Sequence, residues 1–373
     1  MPTPPLRILH VIDSLGLGGA QQVLLQLLKN CDRERFAPEV AVLHGHGMFE
    51  RDIRELDVPV HVLSPWRAVP LYIPNLFRLL VSRRYALVHL NLAGSVIIGA
   101  PLARMAGIPV RMSFEHSPRP FISETGLSPW LYQRAARSLT HATAAVSQSA
   151  AAELSLGLLR TVPVTRTVNG IDVKVFRPQP EKKIELRRQY GISEDARVVL
   201  VMGRLSTEKN LPLAIQIADE LRRSIPNLLF LFVGEGPERQ QIEELTRQLD
   251  LNSVIRFAGV VSCPEDFYAL ADAFLLTSTY EGTPLTVLEA MGCGLPVVAS
   301  DVGCVSEIIN HGQEGFVVTS PDPMQYARYL QRVLQDITFS KNITTAALAK
   351  VHANYSASAM TRSVEAVYAH VLH

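Results

Sequence analysis

Leu6-Arg7-Ile8-Leu9-His10-Val11-Ile12-Asp13-Ser14-Leu15-Gly16-Leu17-Gly18-Gly19 joins an apolar run to a glycine-bearing turn, and an amphipathic stretch over Ala20–Lys29 follows directly. A core strand that runs through glycines into a helix is the first step of parallel β/α winding. Outward from it the alternation continues, with strands expected at Glu39–Leu43, Val60–Leu63, Leu87–Leu90, Val110–Phe114 and Ala142–Val146. It restarts at Val198–Gly203 and runs on through Leu228–Val233, Val254–Phe257, Phe274–Thr277, Pro296–Ala299 and Gly315–Val318. Between the halves, a turn at Asn169-Gly170 and breaks at Pro178 and Pro180 mark a boundary. The expected fold is α/β, two doubly wound Rossmann-like domains facing across a cleft. Residues 1–172 are expected as the amino-terminal domain, 173–185 as linker, 186–355 as the second domain and 356–373 as a closing helix. No internal repeat or low-complexity segment is evident.

The chain's 373 residues can bury two such cores. With 47% apolar and 19% charged residues it falls in the ordinary globular class, neither disordered nor coiled coil. Cys31, Cys263, Cys293 and Cys304 form no CxxC pair, which suits reduced thiols in a cytoplasmic protein rather than a disulfide frame or metal site. Asp13 interrupts the first apolar run and no cleavage site follows, so the run is expected to be core strand and not a secretion signal. The most apolar long stretch, Ala86 to Val110, carries His89, Asn91 and Arg104, so no membrane span is expected. The net charge of +1 hides an uneven spread: from Val60 to Pro120, Arg67, Arg78, Arg83, Arg84, Arg104, Arg111 and Arg119 face only Glu115. A basic surface of that kind suits a phosphate-bearing or anionic-lipid partner, although solvated arginines on several faces fit the same counts.

The turn at Gly16, Gly18 and Gly19 lets backbone amides approach an anion at a helix start. A dinucleotide site is the rival, but Gln21 stands where GxGxxG needs its third glycine. The second strand also ends at Leu43-His44 without an acidic residue for a ribose. In the second half, Gly203-Arg204-Leu205-Ser206-Thr207-Glu208-Lys209-Asn210 follows a strand at its carboxyl end, where open α/β sheets bind ligands. Arg204 can fork onto two phosphate oxygens and Lys209 adds a point charge. Tyr280-Glu281-Gly282-Thr283-Pro284-Leu285 then leads into a helix, with Thr283 expected as its cap and Pro284 at its first position. Amides from Gly282 to Leu285 are expected to point at the ligand. Glu289 sits among Val287, Leu288, Ala290 and Met291, where burial is costly without a partner. A diol is a suitable partner; a solvated face fits the spacing equally. Gly234 and Val260 end two further strands, each bringing backbone to the same edge.

These residues resemble family 4 of the retaining glycosyltransferases, with the GT-B fold. The resemblance runs from GLGGAQ through FEHS at 114–117, VNGID at 168–172, GRLSTEKN and VGEGPE to EGTPLTVLEAMGCGLPVVASDVGCVSEII. The spacing E-x7-E of Glu281 and Glu289 is its most specific element. The resemblance implies that Arg204 and Lys209 bind the donor diphosphate, Glu281 the transferred sugar and Glu289 the ribose. It implies that Gly18 and Gly19 line the diphosphate and acceptor side and that His116 lies near the sugar. It also implies that Ala357–Leu372 returns to the amino-terminal domain. Thr283 stands where relatives often carry a bulkier residue, and Gln21 or Gln22 replaces a glutamate, so donor and acceptor identity are not carried over.

The expected activity is transfer of a hexose or N-acetylhexosamine from a nucleotide diphosphate sugar, UDP favoured over GDP on the family's frequency alone, to a glycan or lipid-linked hydroxyl, with retained configuration, in cell-surface polysaccharide synthesis. Neither metal nor cofactor is expected, since no Asp-x-Asp motif is present and two cations replace a metal's charge. The enzyme is expected in the cytoplasm, peripherally on the membrane, without nucleic acid. A nucleotide-sugar epimerase, a silent sugar-binding relative and a dinucleotide-dependent oxidoreductase are the alternatives.

Overall fold

The computed structural model describes residues 4–64, 69–116, 129–156 and 162–372. Arg67, Ser117 and Arg119, invoked above, lie outside the described residues. The chain divides into two compact units, Met1–Gly170 with Ala357–His373, and Ile171–Ser356. Residues 173–185 lie in the second unit, where Lys183 Nζ donates to Asp272 at 2.7 Å and to the Ala271 carbonyl at 2.9 Å.

In the first unit, strands β1 (Leu6–Ile12), β2 (Phe36–Val42), β3 (Val60–Val62), β4 (Leu87–Asn91), β5 (Val110–Glu115), β6 (Ala142–Ala145) and β7 (Val164–Arg166) form one sheet. Its order is β3-β2-β1-β4-β5-β6-β7, all parallel. In the second, β8 (Arg197–Met202), β9 (Leu228–Val233), β10 (Ile255–Gly259), β11 (Ala273–Leu276), β12 (Val297–Ser300) and β13 (Phe316–Val318) run β10-β9-β8-β11-β12-β13, again parallel. Both are doubly wound. The direction of winding reverses between β1 and β4 and between β8 and β11, and ligands bind such sheets in the crevice at that reversal.

Helices on both faces explain why the central strands read as continuous apolar runs rather than alternating ones. Every residue of β4, β5 and β6 is buried. In the second unit, Phe230, Phe232, Leu275, Val298 and Leu330 share one core. Truncating a fully buried residue such as Leu275 to alanine costs about 2–5 kcal/mol.

The helix Ala357–Leu372 packs against the helix Gly19–Asn30 in the first unit. Glu365 accepts from the Asp32 amide at 2.8 Å, and the Tyr368 hydroxyl bonds the ring of His89 at 2.5 Å.

Some elements were not expected. The helix Ile337–Asn354 buries only Ile343, Ala347 and Val351, a narrow stripe in a run of threonines and alanines that carries little periodic signal. Strand β7 has three residues, none buried. The arginine-rich segment does not act as one surface. Arg111 is buried, donating to the carbonyls of Leu139 and Ile108 at 2.6 and 2.5 Å. Arg83 joins Arg7, His61 and Tyr85 around the buried carboxylate of Glu39. Arg78, Arg84 and Arg104 are exposed. Among the described residues, no helix is long and apolar enough to cross a membrane.

Candidate active site

In the second unit the loops that leave β8, β9 and β10 are held together by backbone alone. The Gly203 amide donates to the Val233 carbonyl at 3.0 Å, Leu205 to Glu235 at 3.0 Å and Gly234 to Gly259 at 2.8 Å. Such close approach requires glycine at Gly234, which has φ +135°; a Cβ there would stand 1.9 Å from the Gly203 oxygen. Val260, just beyond β10, is exposed.

The loop that leaves β8 also borders the reversal between β8 and β11. A short turn, Thr207–Lys209, ends at Asn210 in the left-handed region (φ +47°), and the helix Leu211–Leu221 follows. The Glu208 carbonyl accepts from the Thr279 amide at 2.8 Å and the Lys209 carbonyl from the Thr277 hydroxyl at 2.9 Å, so the two loops are stitched together. Above the stitching, Lys209 Nζ meets Glu281 Oε1 at 2.5 Å, and the Ser278 hydroxyl donates to the same oxygen at 2.8 Å. Gly203, Arg204, Lys209, Thr277 and Ser278 line one concavity, and the Arg204 residue is exposed. An ammonium has three donors, so Lys209 can serve Glu281 and an anion together.

The loop carrying Glu281 and Gly282 rests on a second tight approach. Gly303 (φ +56°) leaves room for it: a Cβ there would fall 2.4 Å from the Gly282 oxygen and 2.5 Å from that of Glu281. Thr283 does not occupy the cap position of the following helix. Pro284, extended at ψ 98°, occupies the cap position rather than the first helical one, and the helix is Leu285–Gly292 with no side-chain bond from its cap residue. The Cys304 thiol instead donates to the Thr283 hydroxyl at 3.4 Å.

Glu289 lies inside that helix and is buried. The sequence offered it a ligand or solvent as partner; the structure supplies a protein one, the Tyr268 hydroxyl, donating to Oε2 at 2.7 Å. Burial raises the Glu289 carboxyl to about 7, with the Tyr268 bond opposing and the charge of Glu265 adding to the rise. Tyr268 went unnoticed because nothing in its spacing links the helix Pro264–Leu270 to Glu289.

Gly18, Gly19 and His116 belong to the first unit. Gly18 takes the cap position of the helix Gly19–Asn30, and a Cβ on it would fall 2.4 Å from the Gln21 side-chain oxygen. Gln21 folds back over the loop, donating to the Ser14 carbonyl at 3.2 Å. Beside it, burial raises the Asp13 carboxyl to about 6 against the pull of the Ser95 and Gly94 amides. The sequence marked Asp13 only as the break in the first apolar run.

His116 lies tilted against Phe114 with ring centroids 4.4 Å apart, and its ring nitrogens are buried without a hydrogen-bond partner among the described residues. Burial lowers it to about 4, so the ring is neutral at physiological pH. Its neighbour Glu115 is buried too, accepts from the Tyr132 hydroxyl and is raised by burial to about 7. Among the described residues, no group of three or more His, Cys, Asp or Glu is placed to hold a metal ion.

Two family models match the chain. Residues 18–202 match the glycosyl transferase 4-like domain and residues 182–350 match the glycosyl transferases group 1. The chain belongs to the family 4-type glycosyltransferases of GT-B fold. Within the family it is 24% identical over 351 residues to the UDP-Gal:α-D-GlcNAc-diphosphoundecaprenol α-1,3-galactosyltransferase of Escherichia coli, covering 89% of this chain and 88% of that one. It is 25% identical to the putative glycosyltransferase EpsF of Bacillus subtilis over 79% of each. It is 32% identical to an uncharacterized glycosyltransferase of Methanocaldococcus jannaschii over 50% of this chain, a match that spans only 48% of that protein. Among solved structures, Anabaena HepE in complex with UDP-glucose superposes with a TM-score of 0.86 at 22% identity, over 98% of this chain and 100% of that one. That likeness is one of fold, two Rossmann-like domains.

Proposed function

We propose that this glycosyltransferase moves a hexose or N-acetylhexosamine from a UDP-sugar to a hydroxyl of a glycan or lipid-linked acceptor, retaining anomeric configuration. The observation that carries the proposal is the pairing of Lys209 with Glu281 across the reversal between β8 and β11, at 2.5 Å and beside Arg204. Two cations and a carboxylate held side by side at this strand edge suit a diphosphate and its sugar. The choice of a UDP-sugar draws support from the galactosyltransferase relative and from the UDP-glucose complex of Anabaena HepE.

In this mechanism Arg204 and Lys209 take up the charge that develops on the leaving diphosphate. Glu281 orients the sugar and offsets its oxocarbenium character. The diphosphate stays on the face it leaves from and draws the proton from the incoming hydroxyl, which is why configuration is kept. His116 enters as a neutral imidazole toward a sugar hydroxyl, and Glu289 accepts from the ribose. Gly18 and Gly19 give the diphosphate and acceptor close backbone access. The reaction so written uses no metal and no further cofactor, because the two side-chain cations carry the charge.

The lipid-linked acceptor belongs to a place of work at the cytoplasmic membrane face, in cell-surface polysaccharide synthesis. The helix Val69–Ser82 supports it, with Leu71, Ile73 and Val81 exposed beside Arg78 and followed by Arg84. A thermal-shift screen over UDP-, GDP- and ADP-sugars tests the donor: UDP-sugars are expected to stabilise most. Stabilisation by GDP-sugars alone, or by none, contradicts the proposal.

A further inference from the structure

We infer that Tyr268 is a positioning residue for donor binding, holding Glu289 in the one orientation and charge state that can grip a vicinal diol. The inference rests on the proposed role of Glu289 as the group that takes the donor ribose.

A carboxylate can accept from two adjacent hydroxyls only when it is ionised and its plane is fixed. Burial works against the first condition at Glu289, and Glu265 adds repulsion. Tyr268 is the group that opposes both, because its hydroxyl donates to Oε2 at 2.7 Å. A phenol has a single proton to give, and Tyr268 cannot lose it: burial and the facing Glu289 charge hold it well above the ordinary tyrosine range. Cys293, a further titratable group beside the pair, is also raised by burial and stays a thiol. The ring itself is fixed, fully buried, edge-on to Phe176 at 5.8 Å and tilted on Phe274 at 6.0 Å. The donor thus sits on a rigid mount, and one oxygen of Glu289 is committed to it. An ionised carboxylate has about four acceptor positions, so the remaining ones still suffice for two ribose hydroxyls.

The test compares uridine diphosphate with its 2′,3′-dideoxy analogue, by calorimetry, on the wild-type chain, Tyr268→Phe and Glu289→Gln. Wild type is expected to prefer the ribose form. Tyr268→Phe is expected to lose about tenfold of that preference while its affinity for the dideoxy form stays within about twofold. Equal weakening of both ligands overturns the inference, since a packing role moves both; so does an unchanged preference. Should Tyr268→Phe fail to fold, it is made in the Glu289→Gln background, where no buried acid is left unpaired. There it is expected to have no effect on the preference, and a further loss overturns the inference. If wild type itself does not distinguish the two ligands, the ribose role of Glu289 fails, and the inference with it.

Discussion

Lys209 and Glu281 are 72 positions apart in the chain and meet at 2.5 Å. Each comes from a loop at the carboxyl end of a strand, one after β8 and one after β11, and these strands flank the point where the winding reverses. Their backbones are stitched before their side chains meet, so the pair is a product of the scaffold and not of two mobile side chains finding each other. Held this way, a charge pair is poised for use at no cost of reorganisation. Replacing Lys209 with alanine is therefore expected to lower kcat/KM by about 100-fold or more, with circular dichroism unchanged. A loss of less than about threefold in the transfer assay contradicts this role.

Gly234 is expected to tolerate no side chain. Alanine there combines φ +135° with a Cβ 1.9 Å from the Gly203 oxygen, and only backbone is available to give way. The variant should melt several degrees lower, about 4 °C or more, and lose UDP affinity because Gly203 and Arg204 shift with it. Differential scanning calorimetry of Gly234→Ala with and without UDP checks both.

The raised carboxyl of Glu289 gives two pH effects of opposite sign. Its folded value, about 7, lies above the ordinary 4.5, so the folded state binds the proton more tightly. That contribution to stability is fully present below pH 4.5 and is lost as pH rises through 7. Ribose binding needs the ionised form, so UDP affinity should rise through the same interval and level off above it, with a proton released. Glu289→Gln should melt increasingly above wild type from pH 5 to pH 8, and its UDP affinity relative to the dideoxy analogue should not vary with pH. Melting curves and calorimetry at several pH values decide the matter.

His116, lowered to about 4, remains neutral across the working range. Its substitution by glutamine is expected to lower kcat about 10- to 100-fold and to leave UDP affinity within about twofold. The wild-type rate profile should show no inflection near pH 6.5 from this residue; one that disappears in His116→Gln contradicts a permanently neutral ring.

The exposed apolar residues of Val69–Ser82 predict vesicle binding. Leu71, Ile73 and Val81 changed together to serine should abolish co-sedimentation with anionic vesicles, and transfer to a water-soluble acceptor should be unaffected. Equal sedimentation of variant and wild type removes the helix from the account.

Much of this was legible in the chain because parallel sheets leave long apolar runs. β1 and β9 lie where the runs Leu6–Ile12 and Leu228–Val233 put them. The glycine-rich strand ends were legible for a similar reason: close backbone approach at Gly234 admits no other residue type. What stayed hidden depends on contacts distant in sequence. Tyr268 looks like any aromatic on a helix until Glu289 is seen against it, and Arg111 looks like a surface cation until its carbonyl partners appear. Thr283 misled because its chemistry suits a cap, while the extended backbone of Pro284 sets where the helix begins.

The central claim is that the Lys209–Glu281 pair serves retaining transfer from a UDP-sugar. The most direct measurement follows UDP release from UDP-hexoses and UDP-N-acetylhexosamines, with the anomeric configuration of the transferred sugar read by NMR, for wild type and Glu281→Ala. The account predicts turnover with retained configuration in wild type, and a rate reduced about 100-fold or more in a variant that still binds UDP. Unchanged transfer by Glu281→Ala, or an inverted product from wild type, contradicts it.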